Sequence, residues 1–168
     1  MCIRDSDVTV ITQNVDDLHE RAGSTRVIHL HGTLLRSRST VDENLVYPIE
    51  GDDLNIGDCC ELGSQLRPDI VWFGEDVPMM EQAAGIAACA DVMVVVGTSL
   101  NVYPAAGLVR YPRKGVPLLV VDPGAPGEAY LTRARFITEP ATTGMEKVRE
   151  FLRDYRCLLY TSTSPRDA

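Results

Sequence analysis

Asp91-Val92-Met93-Val94-Val95-Val96-Gly97 is an unbroken apolar run closed by an acidic residue and a glycine. A strand with one wet face alternates apolar and polar residues. A continuous β-branched run bounded by turn residues instead predicts a strand covered on both faces, the habit of parallel sheets. Working outward, Met79–Ala90 reads as the helix before this strand and Ala105–Tyr111 as a helical piece after it. Val116-Pro117-Leu118-Leu119-Val120-Val121 and Arg135-Phe136-Ile137-Thr138 follow as further strands. Met145, Val148, Phe151, Leu152 and Tyr155 then fall on one face of a last helix. Upstream, Asp7–Thr12 is a β-branched strand, Asp16–Ala22 a short helix closed by Gly23, and Arg26–His31 a second strand ending at Gly32. Strands alternating with helices predict an α/β fold with a largely parallel, Rossmann-like sheet. Residues 38–66 are polar and rich in Asp and Gly with no sustained period, which marks a small inserted module.

Composition narrows the function. The 168 residues are 45% hydrophobic, and 24 acidic side chains against 16 basic ones give a net charge of −8. Nucleic-acid binding through bulk charge needs basic patches, so no nucleic-acid partner is expected. No apolar run approaches the roughly 20 residues that cross a bilayer, and no apolar leader opens the chain, so no membrane partner is expected either. Five cysteines, an odd number, suit reduced thiols in a cytoplasmic setting.

In an open parallel sheet, ligands bind beyond the carboxyl ends of the strands. The exits here are Gln13-Asn14-Val15-Asp16, His31-Gly32, Gly97-Thr98-Ser99 and Asp122-Pro123-Gly124. Gly97 lets a phosphate approach the backbone while the hydroxyls of Thr98 and Ser99 donate. Asp122 can accept from a ribose diol. Taken singly, Gly-Thr-Ser is an ordinary strand-to-helix turn and Asp-Pro an ordinary loop start. No G-x-G fingerprint and no Walker loop is present. The residues alone therefore reach a nucleotide-binding α/β domain and stop.

Four longer stretches carry a resemblance. Thr12-Gln13-Asn14-Val15-Asp16-Asp17-Leu18-His19-Glu20-Arg21-Ala22-Gly23 with His29-Leu30-His31-Gly32 resembles the core signature of the sirtuins, NAD-dependent protein lysine deacylases. Leu66-Arg67-Pro68-Asp69-Ile70-Val71-Trp72-Phe73-Gly74-Glu75 and Gly97-Thr98-Ser99-Leu100-Asn101-Val102-Tyr103-Pro104-Ala105-Ala106 follow in the family's order. The wording is most similar to the bacterial branch allied to the desuccinylase type, and the likeness covers nearly all of 7–156. The resemblance implies NAD as cofactor and acylated lysine side chains of other proteins as substrates. Acetyl groups would be removed, with succinyl and malonyl as further candidates, giving nicotinamide and O-acyl-ADP-ribose. It places Gln13, Asn14, Val15 and Asp16 around nicotinamide and its ribose, with His31 as general base. Gly97, Thr98, Ser99, Asp122, Pro123, Gly124 and Ala141 would lie near the rest of the nucleotide. Val71, Phe73, Gly74, Glu75, Asn101 and Val102 would clamp the substrate. His19 reads as structural, whereas His29 shares a strand face with His31 but not its exit position. A noncatalytic module holding NAD, ADP-ribose or an acyl-peptide is the alternative, and a retained His31 argues against it because a reader needs no base. An unrelated nucleotide-binding domain would need all four motifs by coincidence.

Two departures from the family pattern stand out. Sirtuins typically carry two cysteine pairs in the inserted module, but the first pair's place reads Arg36-Ser37-Arg38-Ser39-Thr40. Cys59 and Cys60 alone do not close a tetrahedral site, so no stoichiometric zinc is expected. The family also opens with a glycine-rich strand and loop, whereas this chain starts at the second strand. It is expected to be a partial catalytic domain, 7–156, lacking its first, central strand, binding NAD weakly and turning over nothing alone. Residues 1–6 and 157–168, which hold Cys2 and Cys157, fit no amphipathic period and are expected to be non-native tails.

Overall fold

The computed structural model describes residues 7–51, 53–124 and 133–162, with side chains through residue 155. It divides into two compact units, one ending at Ala83 and one beginning at Ala84. Residues 1–6 and 163–168 of the expected tails lie outside the described residues.

The first unit holds two sheets. Strands β1 (Val10–Thr12) and β2 (Val27–His29) pair in parallel around helix α1 (Leu18–Arg21), with Thr12 opposite His29. Both strands and the helix are shorter than the residue pattern predicts. After a turn at residues 30–31 comes Gly32, whose φ of +77° suits glycine. A Cβ there would lie 2.0 Å from the Asp69 carbonyl oxygen, so the approach of two backbones also demands it. Gly32 does not end a strand; it starts β3 (Gly32–Ser39), the centre of an antiparallel sheet between β4 (Val46–Pro48) and β5 (Leu66–Ile70). The β3–β5 register shifts between Thr33 and Ser37, and Leu34, Leu35 and Arg36 are exposed there. Pro68 is tolerated because β5 is an edge strand. β3 buries Ser37 and Ser39, so its inward face carries no hydrophobic signal.

The second unit is a three-stranded parallel sheet, β6 (Met93–Val96), β7 (Leu118–Val121) and β8 (Ala134–Ile137), in that spatial order. Helix α2 (Met80–Cys89) carries the boundary between the units. Central β7 buries Leu119, Val120 and Val121 almost completely. One face packs Val120 with Val95, Leu100, Ala106 and Val109. The other packs Leu119 and Val121 with Ile137 and with Val148 of α3 (Ala141–Ser162). Burying each such side chain contributes about 1.5–3 kcal/mol. Gly144 allows α3 to lie close, since a Cβ there would meet Val121 Cγ1 at 2.4 Å.

Two expectations need correction here. β6 is not buried on both faces: Val95 is buried, Met93 and Val94 are half-buried and Val96 is exposed. Its described ladder has a partner, β7, on one side, so it sits as an edge strand. Met145 is 42% exposed, off the stripe that Val148, Phe151 and Leu152 pack into the core. The backbone of α3 runs on to Ser162, into the residues expected to be a tail.

Candidate functional site

In the first unit, the exits of β1 and β2 lie side by side because the strands are parallel and in register. Leu30 N–H donates to the Thr12 carbonyl, and Asn14 N–H turns back onto Thr12 Oγ1 at 3.0 Å. Asp16 Oδ1 accepts from Leu18 N–H, which starts α1. Gln13, Val15 and Asp16 are half-buried and Asn14 is exposed. The His31 ring reaches this loop: Nδ1 lies 3.1 Å from the Gln13 carbonyl oxygen. A carbonyl can only accept, so Nδ1 carries the proton and Nε2 of the neutral ring keeps its lone pair. The structure thus brings His31 together with Gln13, and leaves Nε2 chemically suited to receive a proton.

The neighbouring histidine does something different. His29 Nδ1 donates to the Asn14 carbonyl at 3.1 Å, and Nε2 meets Glu20 Oε1 of α1 at 2.8 Å. Two rings, one from the last residue of β2 and one from the turn after it, therefore hold consecutive carbonyls of the same loop. Burial opposes the charge on His29, but bonds to Glu20 and Asn14, with the charges of Glu20 and Asp16, outweigh it and raise its pKa. Glu20 is lowered in return, chiefly by the bond to His29.

Residues 71–75 leave β5 as a tight loop. Val71 N–H donates to the His31 carbonyl at 2.9 Å, tying the loop to the histidine's own backbone. Glu75 and Trp72 bond reciprocally, Glu75 N–H to the Trp72 carbonyl and Trp72 N–H to Glu75 Oε2 at 2.9 Å. Arg67 grips both carboxylate oxygens at 2.6 and 2.7 Å, and Arg38 adds a third cationic contact at 3.1 Å. The Arg67 bonds above all, then Trp72 N–H and the nearby charge, hold the Glu75 carboxyl down at about 2. Gly74 turns at φ +90°, and Phe73 projects into solvent at 99% exposure. Arg38 and Arg67 had no role in the residue reading. One sits in a stretch without periodicity, and the other's pairing across the turn leaves no mark in spacing.

The place of the missing cysteine pair is filled by hydrogen bonds. Ser39 Oγ accepts from Val41 N–H, Asp42 N–H and the Cys60 thiol, the last at 3.4 Å. Cys59 is exposed. Structural zinc takes four thiolate or imidazole ligands. Among the described residues no three of His, Cys, Asp or Glu gather to hold a metal, and this donor set does not fit zinc.

In the second unit the in-register strands align three exits along one edge, with Val96 beside Val121 and Val121 beside Ile137. Gly97 follows β6 at φ +60°, its N–H on the Val121 carbonyl. Thr98 Oγ1 accepts from Leu100 N–H, and Ser99, Asn101 and Val102 are exposed. Asp122 is half-buried after β7, and one of its oxygens accepts from Gly124 N–H at 2.8 Å across exposed Pro123. Ala141 opens α3 just beyond β8. Hydroxyls and backbone amides that can donate to phosphates, with a carboxylate that can accept from a ribose diol, lie along one sheet edge, so these residues fit a nucleotide.

Comparison with known proteins agrees with this chemistry. Residues 3–104 match the Sir2 family. An NAD-dependent protein deacylase of Helicobacter pylori is 50% identical over 139 residues, 83% of this chain and 60% of that protein. A Sir2 homologue solved with NAD superposes with a TM-score of 0.75 at 36% identity, covering 88% of this chain and 59% of the other. Sir2Tm, solved bound to a propionylated peptide, gives 0.70 at 34% identity over 84% and 62% of the two chains. The chain thus spans about 60% of the length of these relatives. A match over more than half of its residues shows that the chain belongs to the Sir2 family.

Proposed function

We propose that the protein carrying this chain removes acyl groups from lysine side chains of other proteins in an NAD-dependent reaction. The observation that carries the reading is the bond from His31 Nδ1 to the Gln13 carbonyl, which leaves Nε2 as a base at a strand exit. NAD, when bound, supplies a ribose carbon from which nicotinamide departs and to which the acyl oxygen attaches. Gln13, Asn14, Val15 and Asp16 are the residues proposed for the carboxamide and its ribose. Gly97, Thr98, Ser99, Asp122, Pro123, Gly124 and Ala141 are those proposed for the phosphates and the second ribose. His31 Nε2 takes a proton from a ribose hydroxyl. Val71, Phe73, Gly74, Asn101 and Val102 hold the acyl-lysine segment, and a fully exposed Phe73 supports that role because an isolated apolar ring in water is otherwise unfavourable. Acetyl-lysine is the first substrate to try, with succinyl- and malonyl-lysine after it, in a cytoplasmic protein whose catalytic domain includes residues 7–156 and whose small module spans 38–66.

The test is nicotinamide release from NAD and an acetyl-lysine peptide by the whole protein. His31→Ala should lower turnover by about 10²–10⁴-fold, the usual worth of a positioned base, with NAD affinity retained. Turnover equal to that of the unaltered protein would overturn the assignment. NAD and peptide binding without turnover in the unaltered protein would favour a noncatalytic module instead.

A further inference from the structure

We propose that Glu75 is a positioning residue for the 71–75 loop, and that its ion pairs with Arg38 and Arg67 make the antiparallel module the scaffold of that loop. A carboxylate has about four lone-pair sites. Glu75 commits one oxygen to Arg67 Nη1 and the other to Arg67 Nη2, Arg38 Nη2 and Trp72 N–H. Little capacity remains for a substrate, so Glu75 acts on the loop and not on what the loop holds. This revises the residue-level expectation that it clamps substrate directly.

The geometry shows how the force is transmitted. Arg38 comes from β3 and Arg67 from β5, neighbouring strands paired at Arg38 and Arg67 themselves. Both guanidiniums also donate to the Ile70 carbonyl, where the loop begins. Arg67 Nε is buried without a hydrogen-bond partner, a cost borne by a side chain committed to one carboxylate. The Arg67 guanidinium carbon lies 5.9 Å from the Trp72 ring centroid, so the same residue supports the aromatic half of the loop. Arg38 lies in the segment where the family pattern has thiols. In a module whose donors do not fit zinc, charge-assisted hydrogen bonds cross-link the strands to the loop.

The inference rests on the reading of 71–75 as a substrate contact, and the experiment separates the two. Hydrogen–deuterium exchange of the whole protein carrying this chain is compared with its Glu75→Gln and Arg38→Met variants, alongside NAD and acetyl-lysine-peptide binding. Glu75→Gln should speed exchange in 71–75 by about tenfold or more, given the strength of bonds to charged groups, with β6–β8 unchanged. Unchanged exchange in 71–75 overturns the proposal. Should Glu75→Gln unfold the first unit, Arg38→Met decides, since it keeps the Arg67 pair: faster exchange confined to the loop supports, none overturns. Peptide affinity should weaken about tenfold while NAD affinity holds, and an equal loss of both marks a general structural role and overturns positioning. A whole protein that binds neither ligand defeats the functional reading, while the exchange comparison still decides the role of Glu75.

Discussion

β3 and β7 hold the same rank in their sheets, the central strand of three, yet they are built from opposite materials. β7 reads Leu118-Leu119-Val120-Val121 and buries its side chains against aliphatic neighbours on both faces. β3 reads Gly32-Thr33-Leu34-Leu35-Arg36-Ser37-Arg38-Ser39 and buries two serines while Leu34 and Leu35 face water. One strand is held by area removed from water, the other by directed hydrogen bonds and ion pairs. The first kind of adhesion tolerates changes in pH and salt; the second depends on charge state and geometry.

The contrast can be broken from the apolar side first. Leu119, fully buried, should cost about 2–5 kcal/mol when cut to alanine, read by urea unfolding followed through β6–β8 exchange. A loss under 1 kcal/mol would mean that β7 is not the anchor of its unit. In the module the corresponding lesion is steric: Gly32→Ala drives a Cβ onto the Asp69 carbonyl at a left-handed φ. It should cost about 2–4 kcal/mol, summing left-handed strain and overpacking. Ser39→Ala, which fills no new space but strips the acceptor from Val41 N–H, Asp42 N–H and the Cys60 thiol, should cost about 1–2 kcal/mol. If the same substitution proved neutral, the module's polar core would be ornament.

Acidity separates the regions more gently. The folded pKa of His29 is raised, so its contribution is complete below its ordinary 6.5 and fades as pH climbs through the raised value. Glu20 is lowered from 4.5, so its share is complete above 4.5 and is lost as pH falls through the lowered value. The clasp on the Asn14 carbonyl is therefore tightest between pH 4.5 and 6.5. Exchange at Asn14–Asp16 should quicken on raising pH above that window more than intrinsic chemistry explains, and His29→Gln should remove the excess. A flat corrected profile would discard the clasp. At the bottom of the scale, a chelator should leave unfolding of the chain unmoved, and one zinc equivalent per chain by elemental analysis would contradict that.

The same contrast explains what could be read in advance. Val94, Val95, Leu119 and Val120 announce strands because burial in a parallel sheet leaves an aliphatic run. Ser37 and Ser39 announce nothing, since a hydrophobicity pattern cannot mark a face buried through hydroxyls, and Pro68 argues against the strand it joins. His31 could be placed at an exit from the chain alone, but not its bond to Gln13, which depends on how β1 and β2 pair. Glu75 was recognisable as part of a motif; its saturation by two arginines depends on a three-dimensional meeting of β3, β5 and the loop.

Leu100 follows Ser99 in a left-handed conformation, φ 56°, a geometry that costs a leucine about 1–2 kcal/mol. Its side chain is nonetheless 4% exposed, packed with Val95, Ala106, Val109 and Val120. That burial offsets the strain and pins the Gly97–Ser99 turn from behind, before any ligand arrives. The entropy of ordering the turn is thus lost during folding, so the nucleotide proposed for Thr98 and Ser99 would meet a preorganised surface.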